Sequence, residues 1–332
     1  MRDFSQIREK LYACEKALIF THTNMDGDAV GSSAALCLAL RKLGKECFIL
    51  KEDELPGYLS FMVPEGLFAD EPPFAQDLSI AVDMGNDARL ENRREAFYAP
   101  KNSVCIDHHV PPQTPFADAR VVDPRCCAAS LLVFELLKDM GAEIDKDMAD
   151  LLYGGIISDT GSFKYDKSGP DAHRAAAELI ELGADYEKLS VLLLDNRSLA
   201  GIRLEDRAMA RAAFVSGGKG IISCVLLSDL EELSARPEDM ETVIDRLRSV
   251  ESAELAAVLK QRGERLCKLS ARSKQSCLAR ALCECFGGGG HDKASGATLE
   301  MDPESALAAV SAKAEELFSG SLAASAGERG LT

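Results

Sequence analysis

The sequence predicts an α/β protein, with an N-terminal domain on a parallel sheet followed by a smaller C-terminal α/β domain. Three observations predict it. The first half alternates short apolar, strand-like runs with longer helix-like ones, as the crossovers of a parallel sheet require. That alternation stops at residues 196–214 and resumes afterwards with a different order of elements. Third, four apolar runs of the first half, residues 17–20, 79–82, 103–106 and 155–158, each lead into an acid, a histidine or both. In an open α/β sheet, ligands sit beyond the carboxyl ends of the strands.

The elements follow in order. Residues 29–43 are rich in Ala and Leu and read as a helix closed by Gly44. Residues 46–50 read as a strand. Residues 52–73 hold four prolines and read as a loop with short helical turns. Helices are expected at 130–140, closed by Gly141, at 147–157, at 171–182, closed by Gly183, and at 186–195. Residues 196–214 form a partly helical connection. Beyond it, strands are expected at 221–227, 254–259, 266–270 and 296–300, with helices at 239–248 and 276–285 and a glycine run at 287–290. Asp302 caps a last helix with Pro303 at its first position, reaching about Phe318. The small, polar residues 319–332 read as a disordered tail. The expected organisation is therefore a catalytic domain over 1–195, a linker over 196–214, a substrate domain over 215–318 and the tail.

Composition narrows the function. A chain of 332 residues suits two domains, and 46% hydrophobic residues suffice for their cores. No apolar run approaches a membrane span, and the polar, mixed-charge residues 1–10 do not resemble a secretory signal. Eleven cysteines without a CxxC pair read as reduced thiols of a cytoplasmic protein. The net charge of −16 argues against avid binding of long nucleic acid. A small phosphorylated ligand is still allowed, because Lys260, Arg262, Arg265, Lys268, Arg272, Lys274 and Arg280 face only one acid, Glu264, in residues 260–280. With no tryptophan and 6% aromatics, extended base stacking is not expected.

The acids and histidines that follow the apolar runs suggest a two-metal hydrolytic centre. Asp26 and Asp28 lie two apart in a loop after a strand, with His22 one short turn back. Two hard divalent cations about 3.5–4 Å apart need a bridging carboxylate, for which Asp83 is the natural candidate. His108 and Asp159 can complete the second ion. Carboxylate with some imidazole suits Mn²⁺ or Mg²⁺ better than a thiolate-type zinc site. Water between such ions is acidified and needs no separate general base. His109, beside His108, is free to contact phosphoryl oxygens or the leaving group. Taken singly each acid has an ordinary explanation: Asp26 or Asp83 as a helix cap, Asp159 as a turn residue before Gly161. His173, inside an amphipathic helix, reads as an ordinary surface histidine.

Together these segments resemble the DHH phosphoesterase superfamily. The matching stretches are His22-x-Asn24-x-Asp26-Gly27-Asp28-Ala29-x-Gly31-Ser32, Val82-Asp83, Asp107-His108-His109 and Ser158-Asp159-Thr160-Gly161. The C-terminal half resembles the DHH-associated domain, through Ser270-Ala271-Arg272-Ser273 and the glycine-rich Phe286-Gly287-Gly288-Gly289-Gly290-His291. The resemblance implies that His22, Asp26 and Asp83 hold one ion, and that Asp28, Asp83, His108 and Asp159 hold the other. Asp107 would orient a neighbour by hydrogen bonding. His109 would bind or protonate the phosphoryl group. Arg272 and His291, with Gly288, Gly289 and Gly290, would grip the rest of the substrate, in an active site in the cleft between the domains. Ala271 stands where the family usually has another apolar residue, which implies a slightly larger pocket.

Within the superfamily, inorganic pyrophosphatases carry a different C-terminal domain, RecJ-type exonucleases carry further domains, and the membrane-bound cyclic dinucleotide phosphodiesterases carry spans. What remains resembles the compact nanoRNase/pAp phosphatase group. That group cuts very short oligonucleotides to mononucleotides, and some members remove the 3′-phosphate of adenosine 3′,5′-bisphosphate (pAp). The implied cofactors are two divalent ions, Mn²⁺ before Mg²⁺. The implied partners are short oligonucleotides, pAp or dinucleotides, with no long nucleic acid, no membrane and room for a homodimer. The alternatives are a soluble cyclic or linear dinucleotide phosphodiesterase, and a nucleotide-binding regulator without turnover. The intact ligand set argues against the regulator.

Overall fold

A computed structural model of the chain describes residues 2–165 and 167–328, and the architecture is that of these residues. The chain divides into two compact units, Met1–Asn196 and Arg197–Thr332.

The first unit runs α1 (Ser5–Ala13), β1 (Lys16–Phe20), α2 (Gly27–Lys42), β2 (Glu46–Leu50), β3 (Phe68–Ala69), β4 (Leu78–Val82), α3 (Arg94–Tyr98), β5 (Asn102–Asp107), β6 (Ala119–Val122), α4 (Ala129–Asp139), α5 (Lys146–Asp159), α6 (Pro170–Glu181) and α7 (Tyr186–Ser190). All its strand pairs are parallel, in the order β3-β2-β1-β4-β5-β6. Both sheet faces are covered, so the central strands are apolar throughout rather than alternating. Ala17 and Ile19 face the core with α2, α4 and α5, while Leu18 and Phe20 face a second core with Phe97 of α3. Fully burying Leu18, Ile19 or Phe20 contributes roughly 1.5–3 kcal/mol each. The strand order reverses between β1 and β4, and α2 and α3, which follow them, pack on opposite faces. This is a topological switch point.

Two short edge strands, β3 and β6, lie where no strand was expected, because two to four residues are too few to show a period. Residues 155–158, the fourth apolar run, are the last turn of α5, in line with the helix expected over 147–157 rather than with a strand end. Their apolar character comes from a helix buried among α2, α4 and α6, and a short apolar run does not distinguish a buried helix from a buried strand.

The second unit runs α8 (Leu199–Arg211), β7 (Ala213–Val215), β8 (Gly220–Val225), α9 (Leu227–Leu233), α10 (Val243–Arg248), β9 (Leu255–Gly263), β10 (Leu266–Ser273), α11 (Leu278–Glu284), β11 (Gly289–His291), β12 (Ala294–Leu299) and α12 (Pro303–Glu328). Its mixed sheet has the order β11-β12-β10-β9-β8-β7, with β8 and β9 parallel and the other pairs antiparallel. The expected helix over 239–248 is split into a 3₁₀ turn, Pro237–Met240, and α10. Asp239 accepts from the Arg236 N–H (2.8 Å) and the Ser198 hydroxyl (3.0 Å), bonds that compete with helix continuation. Asp302 caps α12 by accepting the Ser305 N–H at 2.9 Å. The helix continues past Phe318 to Glu328, through the alanine-rich stretch read from sequence as a tail; residues 329–332 of that tail lie outside the described residues. Among the described residues, no helix is long and apolar enough to cross a membrane.

Candidate metal centre

The loop between β1 and α2 brings three acceptors to the switch point. Asp26 is the N-cap of α2, and its Oδ1 accepts the N–H groups of Asp28 (3.1 Å) and Ala29 (3.0 Å). The ordinary reading of this acid as a cap is therefore correct, and it leaves Oδ2 uncommitted to that role. Asp28 is fully buried and accepts the N–H groups of Ala129 (2.6 Å) and Ser130 (2.8 Å), where the N-terminus of α4 favours a negative charge. Gly155 makes room for it. A Cβ at that position would lie 2.0 Å from Ser130 Oγ and 3.0 Å from Asp28 Oδ1.

Asp83 follows β4 with φ +55°, a left-handed conformation that aspartate tolerates better than most residues. It does not cap the following turn, since Asn86 accepts the Ala88 N–H there. Its Oδ2 lies 3.5 Å from His22 Nε2, and its Oδ1 lies 3.2 Å from His108 Nε2 and 3.4 Å from His109 Nδ1. Asp159, the last residue of α5, places Oδ2 3.3 Å from His108 Nε2. Within the first unit, three groups of donor atoms, each within 4.8 Å of one another, result: His22, Asp26 and Asp83; Asp28, Asp83 and His108; and Asp83, Asp107 and His109. Asp83 belongs to all three.

The donor chemistry fits divalent cations. His22 Nδ1 faces the Thr23 carbonyl (2.7 Å) and His108 Nδ1 faces that of Cys126 (3.4 Å). A carbonyl only accepts, so each Nδ1 carries a proton; each Nε2 faces carboxylate oxygens, which, against burial, raise both imidazoles well above their usual value when a proton rather than a cation lies between them. Such acceptors face one another stably only with a cation or proton between them. Asp83 Oδ1 is buried and has no well-directed hydrogen bond. The electrostatics agree. Burial and the repulsion of Asp83 and Asp159 push the Asp28 carboxyl well above its usual range. Burial, with Asp26 and Asp83, pushes Asp159 up to about 7. Burial works against ionisation of Asp83 too, but His108 and His22 hold it well below the usual range.

Asp107 has a different task. Its Oδ2 accepts the Gly85 N–H at 2.5 Å, and its Oδ1 accepts from the backbone of His109 and faces His109 Nδ1. The roles of Ala129, Ser130, Gly155 and the Cys126 carbonyl escape sequence reading, because backbone N–H and C=O groups carry no residue signature. His173 stacks on Phe163, with ring centroids 4.6 Å apart, and joins none of the three groups.

In the second unit, Arg272 of β10, Ala294 of β12 and His291 of β11 occupy one cross-strand row. The glycine run has a packing explanation that the sequence did not show. A Cβ on Gly288 would lie 2.2 Å from the Gly296 carbonyl, and one on Gly290, at φ +144°, 2.7 Å from that of Ala294, whereas Gly289 is open. Ala271 is fully buried in the core with α11 and α12, so it does not enlarge a pocket beside Arg272. The basic stretch is not one patch either. Lys260 is buried and paired with Glu241, Lys274 donates to the carbonyls of Val250 (2.6 Å) and Glu251 (3.1 Å), and Arg280 pairs with Glu284 (2.7 Å) and Asp292 (3.3 Å).

Comparison with known proteins places these features. Residues 16–156 match the DHH family, N-terminal domain, and residues 217–320 match the DHHA1 domain. The chain is 32% identical to the bifunctional oligoribonuclease and PAP phosphatase NrnA of Thermus thermophilus, over 89% of this chain and 87% of that protein. It is 28% identical to a probable manganese-dependent inorganic pyrophosphatase of Bacillus anthracis, over 69% of this chain and 77% of that protein. Among solved structures, an exopolyphosphatase-related protein from Bacteroides fragilis superposes with a TM-score of 0.85 at 22% identity, covering 95% of this chain and 97% of that one.

Proposed function

We propose, on the premise that this chain belongs to the DHH family of phosphoesterases, that it hydrolyses very short oligonucleotides to mononucleotides and pAp to AMP. The observation that carries this reading is Asp83 standing in three donor groups at once, with its two oxygens turned to different histidines. The relationship to the Thermus thermophilus protein along most of both chains supports the substrate class.

Divalent metal use is common to the reading at every level; two ions and a preference for Mn²⁺ are its finer part. His22, Asp26 and Asp83 would hold one ion, and Asp28, Asp83, His108 and Asp159 the other. When bound, the ions neutralise phosphoryl charge and acidify a water to act as the nucleophile. The chain's own residues do the rest. Asp107 fixes the orientation of the His109 ring through Nδ1, and in its imidazolium form that ring would donate to a phosphoryl or leaving oxygen. Asp28 is anchored on the α4 N-terminus, so its geometry is set before substrate arrives. Arg272 and His291 bind substrate phosphates, with arginine offering a fixed two-donor fork, and Gly289, open like Gly287, leaves room for a ligand. A cytoplasmic location and exclusion of long nucleic acid belong to the same proposal.

The test is a substrate ladder of pAp, linear dinucleotides, five-residue oligonucleotides and cyclic dinucleotides, each with Mn²⁺ and with Mg²⁺. Turnover of the first three, fastest with Mn²⁺, is expected. Turnover confined to cyclic dinucleotides would replace the reading by a dinucleotide phosphodiesterase. Binding without turnover of any would make the protein a regulator.

A further inference from the structure

Cys126 and Cys127 are neighbours in the turn between β6 and α4, and both are buried, at 2% and 5% exposure. The Cys126 thiol faces the Ala128 carbonyl at 3.3 Å, and the two sulfurs are within hydrogen-bonding reach of each other. Both cysteines line a cavity of about 460 Å³ in the first unit, whose walls also include Arg2, Leu131, Tyr165 and Ser168. The pair is therefore hidden from large molecules but open to one the size of a peroxide.

The backbone of the same turn holds two of the proposed ligands. The Cys126 carbonyl accepts from His108 Nδ1 at 3.4 Å. Just beyond Cys127, the N–H groups of Ala129 and Ser130 fix Asp28. A change in the Cys126–Cys127 peptide is thus passed to the metal side by main-chain contacts.

We propose that Cys126 and Cys127 are a modification site, joined by a peroxide into a vicinal disulfide that loosens the His108 side of the metal centre. One sulfur gives an electron pair to a peroxide oxygen; the O–O bond breaks, and a sulfenic acid and water form. The neighbouring thiol attacks that sulfur; the S–S bond forms, the S–O bond breaks and a second water leaves. The pair gives up two electrons and two protons, and the peroxide takes up both. The ring closes through the Cys126–Cys127 peptide. Adjacent Cα atoms lie about 3.8 Å apart across a trans peptide, short of the roughly 4.4–6.8 Å that a disulfide prefers. The peptide between them must twist, and with it the carbonyl that orients His108. Losing such a support typically costs about 10–100-fold in metal affinity. This last step rests on the metal-centred reading above; formation of the disulfide does not.

The experiment uses the full-length protein carrying Cys277→Ser and Cys285→Ser, which removes the two exposed thiols. It is treated with a small excess of hydrogen peroxide. Peptide mass spectrometry and Mn²⁺ titration are read before and after. A Cys126–Cys127 disulfide, an Mn²⁺ affinity weakened by about 10–100-fold, and reversal of both by dithiothreitol are expected. The same protein with Cys127→Ala cannot close the ring and should keep its affinity. Cys37 and Cys47 are a rival pair, also within reach of each other. A disulfide there instead, or no disulfide at Cys126–Cys127, overturns the modification site and leaves the metal-centred reading standing. A Cys126–Cys127 disulfide with unchanged Mn²⁺ affinity, or an equal loss in Cys127→Ala, overturns its link to the metal. Reduced protein that binds no Mn²⁺ overturns the metal-centred reading and the link with it.

Discussion

Asp107 Oδ1 lies 2.8 Å from Nδ1 of His109, its neighbour but one, and accepts that residue's backbone N–H at 2.9 Å. With Oδ2 on the Gly85 N–H, the aspartate is fully occupied in fixing a ring. On the proposed reading, the three residues of the Asp107-His108-His109 run separate into an orienting group, a metal ligand and a substrate-binding ring. Asp107→Asn should keep bound metal near normal and lower kcat by about 10–100-fold, the usual effect of removing a partner that orients a site residue. Equal losses of metal and kcat would place Asp107 among the ligands.

His108→Ala and His109→Ala should part in the same way. His108 Nε2 lies within 3.3 Å of both Asp83 and Asp159, so its loss should cut metal content. His109→Ala should retain metal and slow the chemistry. Elemental analysis of the two purified variants, beside their rates, decides it.

Asp83→Asn should abolish turnover by about 10³-fold or more while keeping the fold, because one neutral oxygen can no longer bridge two cations. Wild-type rate in this variant would reduce Asp83 to a turn residue.

Exhaustive chelation should leave the protein inactive, with Mn²⁺ restoring activity more fully than Mg²⁺. The donor set of carboxylate and imidazole, without thiolate, is the reason. Addition of Mn²⁺ should also raise the melting temperature of the chelated protein, since ligation stabilises only the folded state. Full activity after chelation would end the metal-centred reading.

Gly155→Ala should cost about 1–3 kcal/mol of stability from overpacking, and more activity than that loss explains. The added methyl would collide with Ser130 and press on Asp28, displacing it from the α4 N-terminus. A folded variant with wild-type kcat would show that α5 can shift without disturbing Asp28.

Lys260 gives a pH prediction away from the metal centre. Burial lowers its ammonium to about 8, despite the opposing pull of Glu241. Between about pH 8 and 10 the unfolded chain then holds more protons at this site than the folded one, so this group's contribution to stability improves as pH rises through that window. Lys260→Met should raise the melting temperature at pH 7, by roughly 4 °C per kcal/mol gained, and the gain should shrink towards pH 10. Arg262 still pairs with Glu241 in that variant. A gain independent of pH would show that Lys260 is not the group responsible.

The candidate site residues were legible because a parallel sheet delivers strand-end side chains to one edge, and β1, β4 and β5 read as apolar runs leading to His22, Asp83 and Asp107. Asp159 was picked out for a partly mistaken reason: a buried helix end looks like a buried strand end in four residues. What holds the ligands was not legible. Asp28 depends on two backbone N–H groups about 100 residues away and on the absence of a side chain at Gly155. The basic stretch over 260–280 was misleading in the opposite sense. Counting charges along the chain cannot show that Glu241, Glu284 and Asp292 come back to meet them.

The reversal of strand order between β1 and β4 has a consequence for how such a site can decay. The chain leaves one strand over one face and the other strand over the opposite face, so the backbone itself parts there. The opening exists before any side chain is chosen. Exchange of His22, Asp83 or His108 can disarm the chemistry, but no single exchange can close the gap, since that would require threading the chain in another order. A descendant that had lost every proposed ligand would still bring the N-termini of α2 and α4 to that opening.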